Sequence, residues 1–263
     1  MATVSYVIAG SEATGGAGLQ ADLRTFAHLG TYGVGTITCI VSFDPNAGWG
    51  HRFVPIDAPV IADQIEAATL AHHPEVVKVG MLGTPETIAT VADALRAREW
   101  RHILVDPVLI CKGQEAGAAL DTDNALREHI LPLATVITPN LVEAAILAGM
   151  DTLTSVDDLA EAARRIADLG PQVVIVKGGV GLAGADAIDV VFDGSDISVL
   201  RAAKVGEERV SGAGCVFAAA TTAELAKGTA VLDAIQIAKE FTHSGIQTRL
   251  VSAAPVDAVY PRR

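Results

Sequence analysis

The residues with the clearest chemical potential are Ser211-Gly212-Ala213-Gly214-Cys215, which lead directly into an Ala- and Leu-rich run. Two glycines permit a tight turn and a close approach of the backbone to a ligand. The run behind them predicts a helix whose first N–H groups lack partners and whose dipole places positive charge at the same end. This turn is therefore a candidate phosphate-binding site that needs no lysine.

Cys215 lies on the first turn of this predicted helix. At such a position the pKa of a thiol is expected to fall below its free value of about 8.5, which makes Cys215 a candidate proton acceptor. The five residues also fit a second interpretation, in which a glycine turn enters a buried helix and the cysteine is packed in the core.

Polar residues and glycines follow six apolar runs of strand length. In open parallel sheets, ligands bind beyond the carboxyl ends of the strands. We therefore expect these segments to meet at one edge of a sheet and to form a single site there. The segments are 10–18, 44–45, 80–83, 106–107, 138–143 and 177–179.

The elements that must position these residues are an alternation of strand-length runs and helical patterns. This alternation predicts right-handed βαβ units and a three-layer α/β/α, doubly wound fold with a mostly parallel sheet, in a single domain over residues 1–263. An Asp-Gly pair within 186–200 predicts a small β-hairpin at the sheet edge. The predicted strands are 3–9, 34–42, 75–80, 102–106, 134–138 and 172–177, and the predicted helices are 17–29, 58–71, 85–98, 121–130, 140–149, 155–169, 213–227 and 230–250.

The charge balance limits the classes of partner. With 19 basic and 31 acidic residues the formal net charge is −12, which argues against nucleic acid or an anionic membrane as the main partner. No apolar run reaches the ~20 residues of a membrane helix, and the first residues show no export or transit pattern, so we expect a cytoplasmic protein. The three cysteines are far apart and fit neither a disulfide framework nor a zinc site.

Six short motifs, spread over nearly the whole chain, carry a resemblance to a known family. They are Gly-Gly-Ala-Gly-Leu-Gln-Ala-Asp-Leu at 15–23, Lys-Val-Gly-Met-Leu-Gly at 78–83, Val-Asp-Pro-Val at 105–108, Thr-Pro-Asn-Leu-Val-Glu-Ala at 138–144, Val-Lys-Gly-Gly at 176–179 and Gly-Ala-Gly-Cys at 212–215. Together they resemble the ribokinase-like superfamily, and within it the vitamin B6 and thiamine-pyrimidine kinases. The resemblance implies ATP and Mg²⁺ as cofactors and a homodimer.

Two substrates compete within this resemblance: pyridoxal and its B6 relatives, and the hydroxymethylpyrimidine of thiamine synthesis. The pyrimidine kinases tend to carry a glutamine near position 43, where this chain has Phe43. Phenylalanine cannot bind the pyrimidine amino group but can stack on a pyridine ring. Cys111, in the segment after Val-Asp-Pro-Val, also resembles the cysteine-bearing pyridoxal kinases. Both features favour pyridoxal.

The resemblance also implies roles for individual residues. Phosphoryl transfer needs in-line positioning, charge neutralisation and a base. In the implied mechanism Gly212, Ala213 and Gly214 hold the transferring phosphoryl group, Cys215 replaces the usual aspartate base, and Cys111 adds to the substrate aldehyde from a lid. The implied magnesium ligands are Asp106 and Glu143; the nucleotide contacts are Asn140, Glu143, Lys177, Gly179, Asp189 and Gly214; the substrate contacts are Gly10, Ala17, Asp22, Phe43 and Met81.

Several of these assignments have a structural alternative. Glu143 fits an acidic residue in the first turn of a helix, which the helix dipole favours without any metal. Asp189 also fits an exposed turn carboxylate, and Phe43 and Met81 also fit core positions.

Two segments depart from the family pattern. Relatives usually carry a Thr-x-Asn-Thr-His-like stretch before the glycine turn, whereas this chain reads Glu207-Glu208-Arg209-Val210-Ser211. Two acids there would repel a triphosphate unless Arg209 or magnesium offsets them. Glu12-Ala13-Thr14 replaces the usual Asp-x-Ser. These departures keep open a non-catalytic protein that binds pyridoxal phosphate or a pyrimidine on the same scaffold.

The lid hypothesis for Cys111 makes a first prediction. A thiol that adds reversibly to an aldehyde assists pyridoxal but has nothing to add to in pyridoxine, which carries an alcohol instead. Cys111→Ala is therefore expected to slow the turnover of pyridoxal far more than that of pyridoxine, in side-by-side steady-state assays. Equal losses on both substrates would remove the aldehyde-capture role.

Overall fold

The structure is a computed structural model that describes residues 2–109 and 116–262, without the side chains of 116–119. In these residues nine strands form one sheet. The strands are β1 (Val4–Glu12), β2 (Tyr32–Asp44), β3 (Gly50–Pro55), β4 (Val76–Val79), β5 (His102–Val105), β6 (Val136–Ile137), β7 (Val173–Lys177), β8 (Asp186–Phe192) and β9 (Ile197–Ala203). Their order across the sheet is β3-β2-β1-β4-β5-β6-β7-β8-β9.

The centre of the sheet is parallel. The neighbours from β2 through β1, β4, β5 and β6 to β7 all pair in parallel, whereas β3, β8 and β9 pair antiparallel with their neighbours. The central strands are Val- and Ile-rich and buried on both faces, as expected for a parallel sheet covered by helices on each side. All six parallel strands therefore end at the same edge.

Eight helices, counted over the described residues, cover the two faces. They are α1 (Gly18–His28), α2 (Ala58–His72), α3 (Pro85–Arg96), α4 (Ala116–His129), α5 (Leu141–Ala148), α6 (Val156–Ala167), α7 (Ala213–Lys227) and α8 (Val231–Gln247). Alternate residues of β5 show the two layers: Ile103 and Val105 pack into the core beneath α2 to α6, whereas Leu104 packs against α7 and α8. The three-layer α/β/α fold expected from the sequence is confirmed.

The edge hairpin expected at 186–200 is confirmed as β8 and β9. The sequence prediction missed β3, which forms a second hairpin with β2 at the opposite edge. Five of the six residues of β3 are exposed, so the segment lacks the apolar run or alternation that signals a strand. Its hydrogen bonds to β2 define it instead.

The C-terminal tail returns to the glycine turn that precedes α7. The Ser211 N–H donates to the carbonyl of Asp257 at 2.7 Å, and the Val259 N–H donates back to the carbonyl of Ser211 at 3.0 Å. The tail thus fixes the residue immediately before Gly212. None of the helices in the described parts of the chain is both long and apolar enough to cross a membrane.

Candidate active site

A cleft of about 400 Å³ lies at the carboxyl edge of the sheet. Four polar side chains predicted from the sequence line it: Asp106 just after β5, Asn140 and Glu143 around the start of α5, and Lys177 at the end of β7. The first turn of α7, with Cys215, lines the same cleft. The structure therefore brings these residues into one site, as a parallel sheet with aligned strand ends requires.

The turn before α7 needs a glycine at position 212. Gly212 has φ +77°, in the left-handed region, and a Cβ placed on it would lie 1.9 Å from the carbonyl oxygen of Gly16. No side chain caps this end of α7. The Ala213 N–H donates to the Val210 carbonyl at 3.4 Å, whereas the N–H groups of Gly214 and Cys215 have no partner among the described residues and are left for a ligand in the cleft. The positive end of the helix dipole points to the same place, which favours a phosphate there.

Asp106 and Lys177 form an ion pair beside this turn. The Lys177 ammonium lies 3.0 Å from Oδ1 of Asp106, and the Thr138 hydroxyl donates to the same oxygen at 3.3 Å. Burial alone would raise the pKa of Asp106, but the Lys177 and Lys78 charges outweigh it and hold that pKa below its ordinary value. A Cβ on Gly214 would lie 3.3 Å from Nζ of Lys177, so the ammonium lies against the glycine turn.

Lys78 is a fully buried cation in the middle of the sheet. Its Nζ lies 2.7 and 2.8 Å from the two oxygens of Asp22 on α1 and 4.0 Å from Asp106. Burial alone would lower the pKa of Lys78, but the charges of Asp22, Cys215 and Asp106 outweigh it and hold that pKa above its ordinary value. Lys78 is therefore charged at neutral pH and lies between the start of α7 and α1.

The thiol of Cys215 behaves differently from the sequence-based expectation. It lines the cleft with Asp106 and Lys177, as expected, but its pKa is raised to about 11 rather than lowered. Burial is the largest cause, because it removes water from the thiolate; the charges of Asp22 and Asp106 add to it, and the Lys78 ammonium opposes it. The expectation considered the helix terminus alone and was wrong for the ligand-free protein.

Asn140 and Glu143 form a capping box at the start of α5. The Asn140 side-chain oxygen accepts from the N–H groups of Val142 and Glu143, and Glu143 Oε2 accepts from the Asn140 N–H at 2.8 Å. Burial and, less strongly, the Asp106 charge raise the pKa of Glu143 to about 7, against the opposing Lys177 charge. Glu143 thus has the helix-terminal role considered as its alternative, and its magnesium role stays a prediction.

Asp189 is buried on β8, so the interpretation as an exposed turn carboxylate was wrong. It accepts from the Gly178 N–H at 3.1 Å and pairs with Lys239 of α8 at 2.7 Å. These contacts position the Gly178–Gly179 backbone, which lines the cleft together with Asp189. A direct contact between Asp189 and a nucleotide stays a prediction.

The lining of the cleft also contains apolar side chains, among them Val205, Phe217 and Ile246. Thr242 lines the cleft too, and its buried hydroxyl has no hydrogen-bond partner among the described residues. A buried hydroxyl without a partner is costly, and a polar group on a ligand would satisfy it. The cleft therefore combines anion-binding groups with apolar side chains.

The five predicted substrate contacts do not line this cleft. Ala17 approaches the turn, since a Cβ on Gly212 would lie 3.5 Å from its Cα, whereas Asp22 is fully buried with both oxygens on Lys78. Phe43 packs edge-on against His51, with ring centroids 4.5 Å apart. The roles of Gly10, Ala17, Asp22, Phe43 and Met81 in binding a substrate stay predictions, and Cys111 lies outside the described residues.

Comparison with known proteins identifies the family. The sequence profile described as phosphomethylpyrimidine kinase matches residues 12–257. The chain belongs to the phosphomethylpyrimidine kinase family. It is 45% identical over 243 residues to the pyridoxine kinase of Bacillus subtilis (strain 168). The aligned residues cover 92% of this chain and 90% of that relative.

Two further comparisons are informative. The hydroxymethylpyrimidine/phosphomethylpyrimidine kinase of Rhizobium meliloti is 38% identical over 246 residues, covering 94% of this chain and 91% of that protein. The structure of Staphylococcus aureus pyridoxal kinase in complex with AMP-PCP and pyridoxal superimposes with a TM-score of 0.91 at 37% identity, covering 98% of this chain and 93% of that one. The kinase resemblance stated from the motifs is thereby confirmed.

One site residue within the family motifs was not predicted from the sequence. Lys78 opens the motif at 78–83, and it is the single charged residue of a four-residue strand whose other members are valines. A cation in such a strand must have a buried partner, so this pattern was a readable signal. Lys239 and Thr138, which position Asp189 and Asp106, gave no comparable signal, because each lies at a position ordinary for its residue type.

The Lys78–Asp22 contact makes a prediction about stability and activity. Lys78→Met leaves the Asp22 carboxylate buried without a cation and is expected to lower the free energy of unfolding by about 3–5 kcal/mol, measured by urea denaturation. Lys78→Met with Asp22→Leu should recover most of that loss but not the kinase activity, because Cys215 and Asp106 still lack the ammonium. Arg165→Met, which breaks an exposed pair with Glu161, is the control and should cost less than about 0.5 kcal/mol. Full activity in the double variant would contradict the electrostatic role.

Proposed function

We propose that this protein is an ATP- and Mg²⁺-dependent kinase that phosphorylates the hydroxymethyl group of pyridoxal, and also that of pyridoxine and pyridoxamine. The observation that carries the proposal is the placement of Cys215, at the uncapped N-terminus of α7, in one cleft with Asp106 and Lys177. That arrangement supplies backbone amides and an ammonium for a phosphoryl group, together with an adjacent proton acceptor.

The polar and apolar groups of the cleft suit the two parts of ATP. The leading amides of α7 and the Lys177 ammonium would bind the terminal phosphates. Phe217 and Ile246 would contact the base, and the Thr242 hydroxyl would gain the partner it lacks among the described residues. The amides, held in place by the buried helix behind them, need no rearrangement when charge develops on the phosphoryl group.

The carboxylates of Asp106 and Glu143 fit a magnesium site. Mg²⁺ is usually held by one or two carboxylates together with phosphates and waters, and both side chains line the cleft beside Lys177. The proximity of their charges is evident in the raised pKa of Glu143, to which Asp106 contributes. Bound magnesium would neutralise phosphate charge during transfer.

Cys215 is the proposed acceptor of the substrate alcohol proton. Its raised pKa favours the protonated thiol at neutral pH, so the thiol has to give its proton to solvent before the thiolate can accept the proton of the alcohol. Lys78 is the cation that faces Cys215 from inside the sheet and stabilises the thiolate. Asp22 keeps that ammonium in position.

Two features favour pyridoxal over hydroxymethylpyrimidine. The identity with the pyridoxine kinase exceeds that with the pyrimidine kinase, at 45% against 38% over similar lengths. Phe43 stands where a pyrimidine kinase would place an amide, and its ring is supported by His51 from β3. A homodimer and a cytoplasmic location, both expected from the sequence, stay predictions.

The proposed function is tested by measuring ADP release with ATP, Mg²⁺ and each of three alcohols. Pyridoxal and pyridoxine are expected to give values of kcat/KM at least about tenfold above that of hydroxymethylpyrimidine, because Phe43 offers no hydrogen bond to the pyrimidine amino group. Preference for the pyrimidine would reverse the choice of substrate. Absence of ADP release with all three, from protein that binds ATP, would favour the non-catalytic binder.

The raised pKa of Cys215 gives a pH prediction. Only the thiolate alkylates, so a pKa near 11 should make the reaction of Cys215 with iodoacetamide, measured without ligands, about 300-fold slower at pH 7.5 than that of a free cysteine. The rate should rise about tenfold per pH unit up to about pH 10. Mass spectrometry of the peptide containing Cys215, in a Cys111→Ala background, measures it. A midpoint below pH 8.5 would show that the helix terminus and Lys78 outweigh burial.

A further inference from the structure

A second cleft, of about 590 Å³, lies away from the site described above, between α1, α8 and the C-terminal tail. It shares no lining residue with the first cleft within the described parts of the chain. Its volume falls in the range of pockets that hold small organic ligands. The side chains that give it chemical character are Arg24 and His28 of α1, Phe241 of α8, and Tyr260 and Arg262 of the tail.

The charge of this second cleft is opposite to that of the protein. The chain carries 31 acidic and 19 basic residues, yet the described lining contains Arg24, His28 and Arg262 and neither Asp nor Glu. Two arginines in one concave surface, without carboxylates among them, raise the local concentration of anions even on an acidic protein. The cleft therefore selects negatively charged ligands.

Arg24 is held in place before any ligand arrives. Its Nη2 donates to the carbonyl oxygen of Gly15 at 3.0 Å, and the side chain is half-buried. A guanidinium has five N–H donors, so this bond leaves others for a ligand. Fixing the side chain in the free protein lowers the entropy lost on binding.

The tail that carries Arg262 is also anchored. The Tyr260 N–H donates to the carbonyl of Gly245 at 3.0 Å, and the Thr248 hydroxyl donates to the carbonyl of Tyr260 at 2.7 Å. These two bonds hold the backbone of Tyr260 against the end of α8, two residues before the exposed Arg262.

Two aromatic side chains add a ring-binding surface. His28 and Phe241 meet edge to face with centroids 5.2 Å apart, and Tyr260 is 42% exposed. Exposed aromatic faces beside arginines bind planar rings through apolar burial and stacking. Three nitrogen-bearing groups can donate to the oxygens of a phosphate while a ring attached to it contacts Phe241 and Tyr260.

We propose that this second cleft is a binding site for a small aromatic phosphate monoester. Arg24, His28 and Arg262 bind the phosphate, and Phe241 and Tyr260 contact the ring. The product of the reaction proposed above belongs to this chemical class, but the site is inferred from its own lining and does not depend on that reaction.

Isothermal titration calorimetry with phenyl phosphate tests the proposal on the full-length protein, with phenol and inorganic phosphate as the ring alone and the anion alone. Phenyl phosphate should bind at least about tenfold more tightly than either, because only it engages both parts of the cleft. Arg262→Ala and, separately, His28→Gln should each weaken it about fivefold or more. Arg165→Ala, which removes the same charge from an exposed position on α6, is the matched control and should leave the affinity unchanged.

Three results would overturn the proposal: no binding of phenyl phosphate at about 5 mM, equal affinities in the Arg262→Ala, His28→Gln and Arg165→Ala proteins, or inorganic phosphate binding as tightly as phenyl phosphate. Because the readout is binding, each result is distinguishable from failure of the kinase proposal, which is measured by ADP release.

Discussion

The contact between the buried ammonium of Lys78 and both oxygens of Asp22 is the interaction on which the site depends. Removing an ammonium from water costs several kcal/mol, and only a close, hydrogen-bonded carboxylate offsets that cost. Lys78 lies on β4 and Asp22 on α1, so the pair fixes that helix against the sheet at one register. Because α1 also packs on α7, the same contact fixes where the thiol of Cys215 meets the end of β5.

Burial and the balance of charge at the sheet edge together explain the unusual pKa values there. Lys78 and Lys177 face three carboxylates, those of Asp22, Asp106 and Glu143, so this set is one negative charge in excess when all are ionised. Burial is the larger cause, and the charge of Asp106 adds to it, so the pKa of Cys215 is raised to about 11 and that of Glu143 to about 7. A triphosphate entering the same cleft needs an additional cation, which is a physical reason to expect magnesium with it.

The sequence predicted the fold well because its signal is repeated. Six apolar runs, each followed by a polar segment, leave little freedom in a parallel sheet, and all six end at one edge in the structure. The strand β3 was not predicted because most of its residues are exposed. Only its hydrogen bonds to β2 define it as a strand. A sequence pattern reveals a strand through its buried apolar residues, and none of the residues of β3 is fully buried.

The sequence predicted which residues form the site but not their pKa values. Asp106, Asn140, Glu143, Lys177 and Cys215 lie together because each follows a strand end or begins a helix, which are local features of the sequence. The pKa of Cys215 depends on burial and on the charges of Lys78, Asp22 and Asp106, which are all distant from it in the sequence. A helix terminus was visible in the sequence, whereas the loss of water around the thiol was not.

The two departures from the family pattern have different structural consequences. At 12–14 the Glu12 carboxylate accepts from the N–H groups of Thr14, Gly16 and Ala17 at 2.6, 3.0 and 3.1 Å, so a single carboxylate orders the whole loop. The Gly16 carbonyl in turn lies against Gly212, which couples this loop to the phosphate-binding turn.

At 207–211, by contrast, Glu208 and Arg209 are exposed and line the cleft of the candidate active site. The departure at 12–14 orders its loop through the Glu12 carboxylate. The departure at 207–211 changes the charges that line the cleft. Differences in ligand binding between this chain and its relatives should therefore originate at 207–211, where the guanidinium of Arg209 and the carboxylate of Glu208 act on phosphates with opposite sign.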